Sequence, residues 1–196
     1  MSFLLSARPT IVDRIFSRSL TTDILLVTGG AALTAAAAQV TIPMFPVPMT
    51  GQTFAVLLVA ATLGLSRAAL SMVLYVLVGS LGAPIFAGAA SGFFGATTGY
   101  LIGFIAAAVV VGYLAEKGWD RTPLKVAASF ALGSLVIYAF GVSWLSIYLG
   151  SVGAANDLVT SLSLGMFPFL VGDALKAALA AALLPSAWAG IKKLKG

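Results

Sequence analysis

The chain has 196 residues, 60% of them hydrophobic and 9% charged, with a mean hydropathy of +1.08 and a net charge of +5. The apolar share lies far above the ~45–50% typical of soluble domains. It specifies an all-α membrane protein built as a single integral domain over 1–196, with no room for a soluble domain. Cysteine and histidine are absent, which excludes thiol chemistry, disulfides, zinc sites and histidine acid–base catalysis.

Residues 1–20 read as a cytoplasmic segment at the membrane interface. Ile11, Val12, Ile15 and Phe16 fall on one helical face, and Asp13, Arg14, Ser17 and Arg18 on the other. This suits a short helix lying on the bilayer; a disordered tail is the alternative. Charges at Arg8, Asp13, Arg14 and Arg18 leave no clean apolar core for a cleavable signal peptide. A six-helix bundle is expected over 21–191. Its first span runs from about Thr21 to Gln39, and the middle, 29–38, is almost entirely Gly and Ala. Small residues four apart let another helix approach closely, either inside the bundle or from a partner.

Residues 40–51 carry no charge and three prolines, Pro43, Pro46 and Pro48, which forbid a helix. Irregular apolar backbone is tolerated at membrane depth only where protein buries it or it lines a cavity. The second span, about Gln52 to Leu65, and the third, about Arg67 to Leu81, cover only ~21–22 Å of a ~30 Å hydrocarbon core. The loops beside them therefore complete the crossing. A second uncharged, glycine-rich loop occupies 82–92. The fourth span runs from about Thr97 to Glu116 and the fifth from about Leu124 to Leu149. The sixth covers about Leu162 to Ala189, with Pro168 near its start or at a kink. A basic tail, 192–196, closes the chain. No internal repeat or heptad pattern is present.

Basic residues set the orientation. Arg8, Arg14 and Arg18 precede the first span; Arg67 lies between the second and third. Lys117, Arg121 and Lys125 lie between the fourth and fifth, and Lys192, Lys193 and Lys195 follow the sixth. Ten of the eleven Lys and Arg thus fall on one side of a six-span chain, placing both termini in the cytoplasm. The net charge reports topology, so no nucleic-acid partner is expected.

The eleventh, Lys176, sits with Asp173 inside the long apolar run of the sixth span. Each charge at a helix centre costs ~2.5–3.5 kcal/mol on insertion scales. Three residues apart, the two share a helical face and can pair. A self-neutralising ion pair is one reading. The other is a polar anchor for a ligand or ion, because two apolar residues would insert more cheaply. In the outward-facing frame Asp173 lies ~17 Å deep if the helix starts at Leu162 and ~8 Å if it starts at Pro168. The carboxylate suits N–H donors on a ligand; the ammonium suits a carbonyl or carboxylate. Thr50, Gln52, Thr53, Ser91, Thr97, Thr98 and Tyr100 are further polar candidates, although Gln52 also reads as a helix-start residue. Phe45, Phe86, Phe93, Phe94, Trp144 and Phe169 offer apolar walls, or membrane-interface anchors.

Four blocks carry a family resemblance: Pro46-Val47-Pro48-Met49-Thr50-Gly51-Gln52-Thr53, Gly82-Ala83-Pro84-Ile85-Phe86-Ala87-Gly88, Gly95-Ala96-Thr97-Thr98-Gly99-Tyr100, and Pro168-Phe169-Leu170-Val171-Gly172-Asp173-Ala174-Leu175-Lys176. In this order, on six spans, they resemble the BioY family, the biotin-binding S components of energy-coupling factor (ECF) transporters. The resemblance implies an S-component fold in a bacterial or archaeal plasma membrane, with biotin bound near the external face. It implies a ligand site drawn from Asp173, Lys176, Gln52, Thr50, Phe86, Ser91 and Tyr100, and no cofactor besides the transported vitamin. Two positions depart from the family pattern. Ala90 stands where some members carry asparagine, moving that contact to Ser91 or water, and Gly51 replaces a bulkier residue and is expected to loosen its turn.

The resemblance further implies docking on a transmembrane coupling subunit through small residues of the first span, here Ala31, Ala32, Ala35 and Ala36. Two cytoplasmic ATPases would drive that subunit. This chain has no G-x-x-x-x-G-K-[ST] loop and cannot bind ATP in that way. An ion-coupled carrier with Asp173 as proton site is the alternative, disfavoured by the lack of inverted repeats. Intramembrane enzymes are a poorer fit, with one acid–base pair and no metal-ligand cluster.

Overall fold

The computed structural model describes residues 9–195, with the side chains of 194 and 195 excepted. Arg8 and the Lys195 side chain, both used in the charge count, lie outside the described residues, as do the rest of 1–8 and Gly196. The protein is mostly helical: α1 (Ile11–Ile15), α2 (Leu20–Ala38), α3 (Gln52–Leu63), α4 (Leu65–Ser80), α5 (Thr98–Glu116), α6 (Pro123–Ser151), α7 (Leu158–Gly165) and α8 (Leu170–Lys195). Two-residue strands β1 (Thr41–Ile42) and β2 (Met49–Thr50) pair antiparallel, Thr41 opposite Thr50.

Four stretches are long and apolar enough to cross a membrane, Leu20–Ala38, Thr98–Glu116, Pro123–Ser151 and Leu158–Lys193. The chain is a multi-pass membrane protein. Helices α3 and α4 have 12 and 16 residues, ~18 and ~24 Å, and meet at Gly64, whose φ of +81° breaks the helix between them.

Helix α5 is the hub, packed against α3, α4 and α6. Its contact with α6 is close because Gly99 and Gly103, four apart, face α6 directly. A Cβ on Gly99 would stand 2.4 Å from the Phe140 carbonyl oxygen, and one on Gly103 would stand 3.0 Å from the Ile137 backbone. Small residues at such a seam let backbones approach in lipid, where dispersion rather than water expulsion drives helix pairing. The small-residue pattern sought in the first span is thus also used inside the bundle.

The sixth span is broken where the sequence suggested one helix. Pro168 has no N–H and disfavours helical geometry at the residue before it. Helix α7 stops at Gly165, a 3-10 turn covers Phe167–Phe169, and α8 starts at Leu170. The freed carbonyl of Gly165 accepts a hydrogen bond from the Tyr100 hydroxyl, 2.7 Å away. Asp173 therefore stands in the first turn of α8, ~4–5 Å from its start, shallower along its helix than either sequence-based placement.

Helix α1 does not present one continuous apolar face to the bilayer. Ile11 and Val12 are buried in the bundle core, while Ile15 and Phe16 are exposed. Asp13 caps the helix through Thr10 and reaches Arg67, buried in the first turn of α4, at 2.8 Å. Arg67 also pairs with Asp23 of α2 at 2.6 Å, and Arg18 closes on Asp13 at 2.9 Å. Nearby, Glu116 at the end of α5 accepts from the Leu65 N–H at 3.0 Å, and Asp120 accepts from the Trp188 indole at 2.6 Å.

Candidate ligand-binding site

At the other end of the bundle, a cavity of about 570 Å³, counting its mouth, lies between the β1–β2 hairpin, the loop after α4 and the starts of α3, α5 and α8. Each wall follows from local sequence. Pro46 and Pro48 keep 43–48 out of helix, and the paired strands on either side return the chain across the cavity. This lays Val47, Pro48, Met49 and Thr50 against the space. Gly51 does not loosen this turn as expected. A side chain there would come within 2.8 Å of the Ala37 carbonyl oxygen, so glycine lets the hairpin seat tightly on the end of α2.

The loop after α4 is clamped by Gln39, which ends α2. Its amide donates to the Ile85 and Phe86 carbonyls at 3.4 and 3.2 Å and accepts from the Ala89 N–H at 3.1 Å. This turns Phe86 and Ala87 into the cavity. Phe86 is buried edge-on against Tyr75, ring centroids 5.3 Å apart.

The polar groups converge on the start of α8. Lys176 Nζ donates to the Thr50 carbonyl (3.0 Å), the Thr53 hydroxyl (2.6 Å) and Asp173 Oδ1 (3.2 Å). The Thr53 hydroxyl donates to the same Asp173 oxygen at 3.4 Å. The second carboxylate oxygen accepts from the Tyr138 hydroxyl, which arrives from the middle of α6. Residues from α3, α6 and α8 thus meet at one end of an otherwise apolar space. The first turn of α8 suits the acid, since a helix N-terminus carries a partial positive charge.

Of the residues singled out in the sequence, Asp173, Lys176, Thr50, Gln52, Phe86 and Tyr100 all line the cavity, as do Thr53, Thr97 and Phe169. Two of them have their polar groups committed elsewhere. Tyr100 spends its hydroxyl on Gly165, and Gln52 accepts from the Thr50 hydroxyl at 2.9 Å while donating to buried Tyr75. Tyr100 thus offers chiefly a ring face, and Gln52 holds the wall together.

Ser91 is exposed and does not line the cavity, because the Gln39 clamp turns residues 86–87 inward and leaves 89–91 outside. Phe45 and Phe94 are exposed, and Trp144 ties its indole to the Gly95 carbonyl at 2.8 Å; none of the three lines the cavity. Thr98 is buried, with its hydroxyl satisfied by the turn that precedes α5. Sequence reasoning missed Tyr138. Its signal was faint, a hydroxyl-bearing ring halfway along an apolar span. Among the first-span alanines, Ala31 is buried in the core and Ala35 half-buried, whereas Ala32 and Ala36 are exposed.

The bundle shares the fold of a crystallised S-component for biotin from an ECF-type ABC transporter. The match has a TM-score of 0.74 at 19% identity and covers 87% of this chain and 93% of that one. The BioY family model matches residues 8–193. Among the relatives are a biotin transporter BioY from Thermotoga maritima, 40% identical over 76% of this chain and 86% of that protein, and a probable biotin transporter BioY from Pyrococcus horikoshii, 37% identical over 81% and 91%. The chain belongs to the BioY family.

Proposed function

We propose that this chain captures biotin as the substrate-specific S component of an ATP-driven ECF transporter, using the cavity floored by Asp173 and Lys176. The observation that carries the reading is the convergence of one carboxylate, one ammonium and two hydroxyls at a single end of an apolar cavity. Asp173 and Lys176 stand 3.2 Å apart, so the ligand group that meets them must offer a donor and an acceptor side by side. The ureido ring of biotin does so: its N–H groups suit Asp173 and its carbonyl suits Lys176. A ligand carboxylate placed there would be repelled by Asp173. The valerate tail is therefore directed away from α8, with the fused rings against Phe86, Phe169 and the Tyr100 ring.

In this reading the chain is one integral domain with six spans, α3 and α4 supplying the two short ones. Thr10, Gly64, Glu116, Asp120 and Trp188 all gather at the end opposite the cavity. That end carries the charged linkers and lies in the cytoplasm with both termini. The cavity then opens outward from a bacterial or archaeal plasma membrane. ATP hydrolysis belongs to partner subunits, and no cofactor is needed for capture. Docking on the coupling subunit uses the exposed face of α2 at Ala32 and Ala36. Replacing both by Leu leaves biotin binding intact and abolishes co-purification with that subunit.

Calorimetry of the detergent-solubilised chain with biotin, without partners, tests the central claim. One-to-one binding is expected. A folded sample that takes up no biotin overturns the assignment.

A further inference from the structure

We infer that Tyr138 is the positioning residue of this site: its hydroxyl holds Asp173 in the orientation that receives the ligand, and its ring closes the cavity sideways. This inference deepens the biotin reading and rests on it.

The two oxygens of Asp173 have different partners. Lys176 and Thr53 both approach Oδ1; among the described residues Tyr138 alone approaches Oδ2. The carboxylate turns about a broad terminal torsion, and a lysine ammonium three residues along the helix attracts both oxygens. Without a tether on Oδ2, the acid can swing so that both oxygens face Lys176. The two charges then satisfy each other, and the ligand must break that pairing to bind. The Tyr138 hydroxyl opposes this collapse. Lys176 is restrained from its own side by the Thr50 carbonyl and the Thr53 hydroxyl. Acid and base are thus held side by side in fixed orientations at the cavity wall, which is how preorganisation lowers the cost of binding.

Tyr138 and Asp173 also line an open groove on the flank of the bundle, between α6 and α8, bordered by Phe130, Leu135, Met166 and Leu170. The same two side chains face the ligand cavity on their other side. Their hydrogen bond is therefore part of the partition between the ligand cavity and a flank lined by membrane-spanning segments. Tyrosine suits both tasks, since the ring fills the partition and the hydroxyl reaches the acid.

The test is a pair of double-mutant cycles, read as biotin affinity by competition up to millimolar ligand, with the unfolding temperature measured for each variant. Tyr138→Phe keeps the ring and removes only the hydroxyl. It is expected to weaken biotin roughly 10- to 100-fold, the range for a lost hydrogen bond to a charged group, with little change in unfolding temperature. A residue acting through Asp173 loses its effect once its target is altered. In the Asp173→Asn background, Tyr138→Phe therefore adds no more than about twofold, a coupling well outside ordinary additivity. In the Lys176→Met background, where the acid has no ammonium to collapse on, its cost likewise largely disappears. This second cycle carries the test if Asp173→Asn binds too weakly to read. Equal losses in every background, or no loss from Tyr138→Phe in the otherwise native chain, overturn the inference while leaving the biotin assignment intact. Absence of biotin binding by the native chain overturns both.

Discussion

Two charged clusters sit at opposite ends of the same bundle, and they are built to opposite specifications. In the Arg67 cluster the side chains of Arg67, Asp13 and Asp23 are 4%, 2% and 5% exposed, and each carboxylate meets the guanidinium at 2.6–2.8 Å. In the Asp173 cluster the side chains of Asp173 and Lys176 are 11% and 21% exposed, at 3.2 Å, and face an open cavity. The first is closed: a planar fork with five donors bridges two acids, and little surface is left for a ligand. The second is open: its groups bond one another and Thr53, Thr50 and Tyr138, yet they face a cavity and are more exposed than the first. Burial together with saturation marks a structural pair; partial exposure together with restraint marks a binding site.

Removing the closed cluster's centre is expected to have the largest effect. Arg67→Ala strands two buried carboxylates and should destabilise the protein by about 3–5 kcal/mol, the range for breaking a buried pair from one side. The measurement is the unfolding temperature in mild detergent; an unchanged value would erase the contrast between the clusters. At the open end the pattern inverts. Asp173→Asn should weaken biotin roughly 100-fold, or about 2.7 kcal/mol, because it removes a charged acceptor. Its unfolding temperature should stay near that of the native protein.

A smaller effect is expected with pH. Asp13 loses stabilisation through desolvation, but its hydrogen bonds to Arg18 and Arg67 more than offset this and hold its carboxyl down, from 3.8 to about 2. Because the folded value is depressed, the stabilisation is complete above about pH 4 and drains away as pH falls from there toward 2. A shift of this size corresponds to about 2 kcal/mol. Thermal unfolding followed from pH 6 to pH 3 should show a steeper acid loss in the native chain than in Asp13→Asn; parallel curves would remove Asp13 from the closed cluster. The smallest expected change is Lys176→Met. Loss of one ligand contact should cost roughly 10-fold in affinity, with stability within about 1 kcal/mol of native because the lysine is partly exposed.

The residues explain how much could be read in advance. Asp173 and Lys176 stood out because lipid penalises charge, so an acid and a base in an apolar run demand a reason. The proline-rich and glycine-rich loops stood out because they are uncharged yet cannot be regular helix. Those signals are local and carry their own physics. Tyr138 had no such mark, since a hydroxyl in an apolar span is affordable and common. Arg67 misled for a related reason. At the junction of the second and third spans it reads only as a charge that reports orientation, and nothing local revealed that Asp13 and Asp23 would converge on it.

By itself, the sequence determined the membrane class, helices close to those observed, the two loops that wall the cavity, and the acid–base pair at its floor, because composition, proline and isolated charge act over a few residues. Tertiary structure alone decided which hydroxyls tether that pair and that Tyr100 and Gln52 serve the walls. It also decided that Ser91 faces outward and that Ala32 and Ala36, rather than Ala31, are exposed. These depend on which helices cross and at what rotation, and that is set by close packing of side chains distant in sequence.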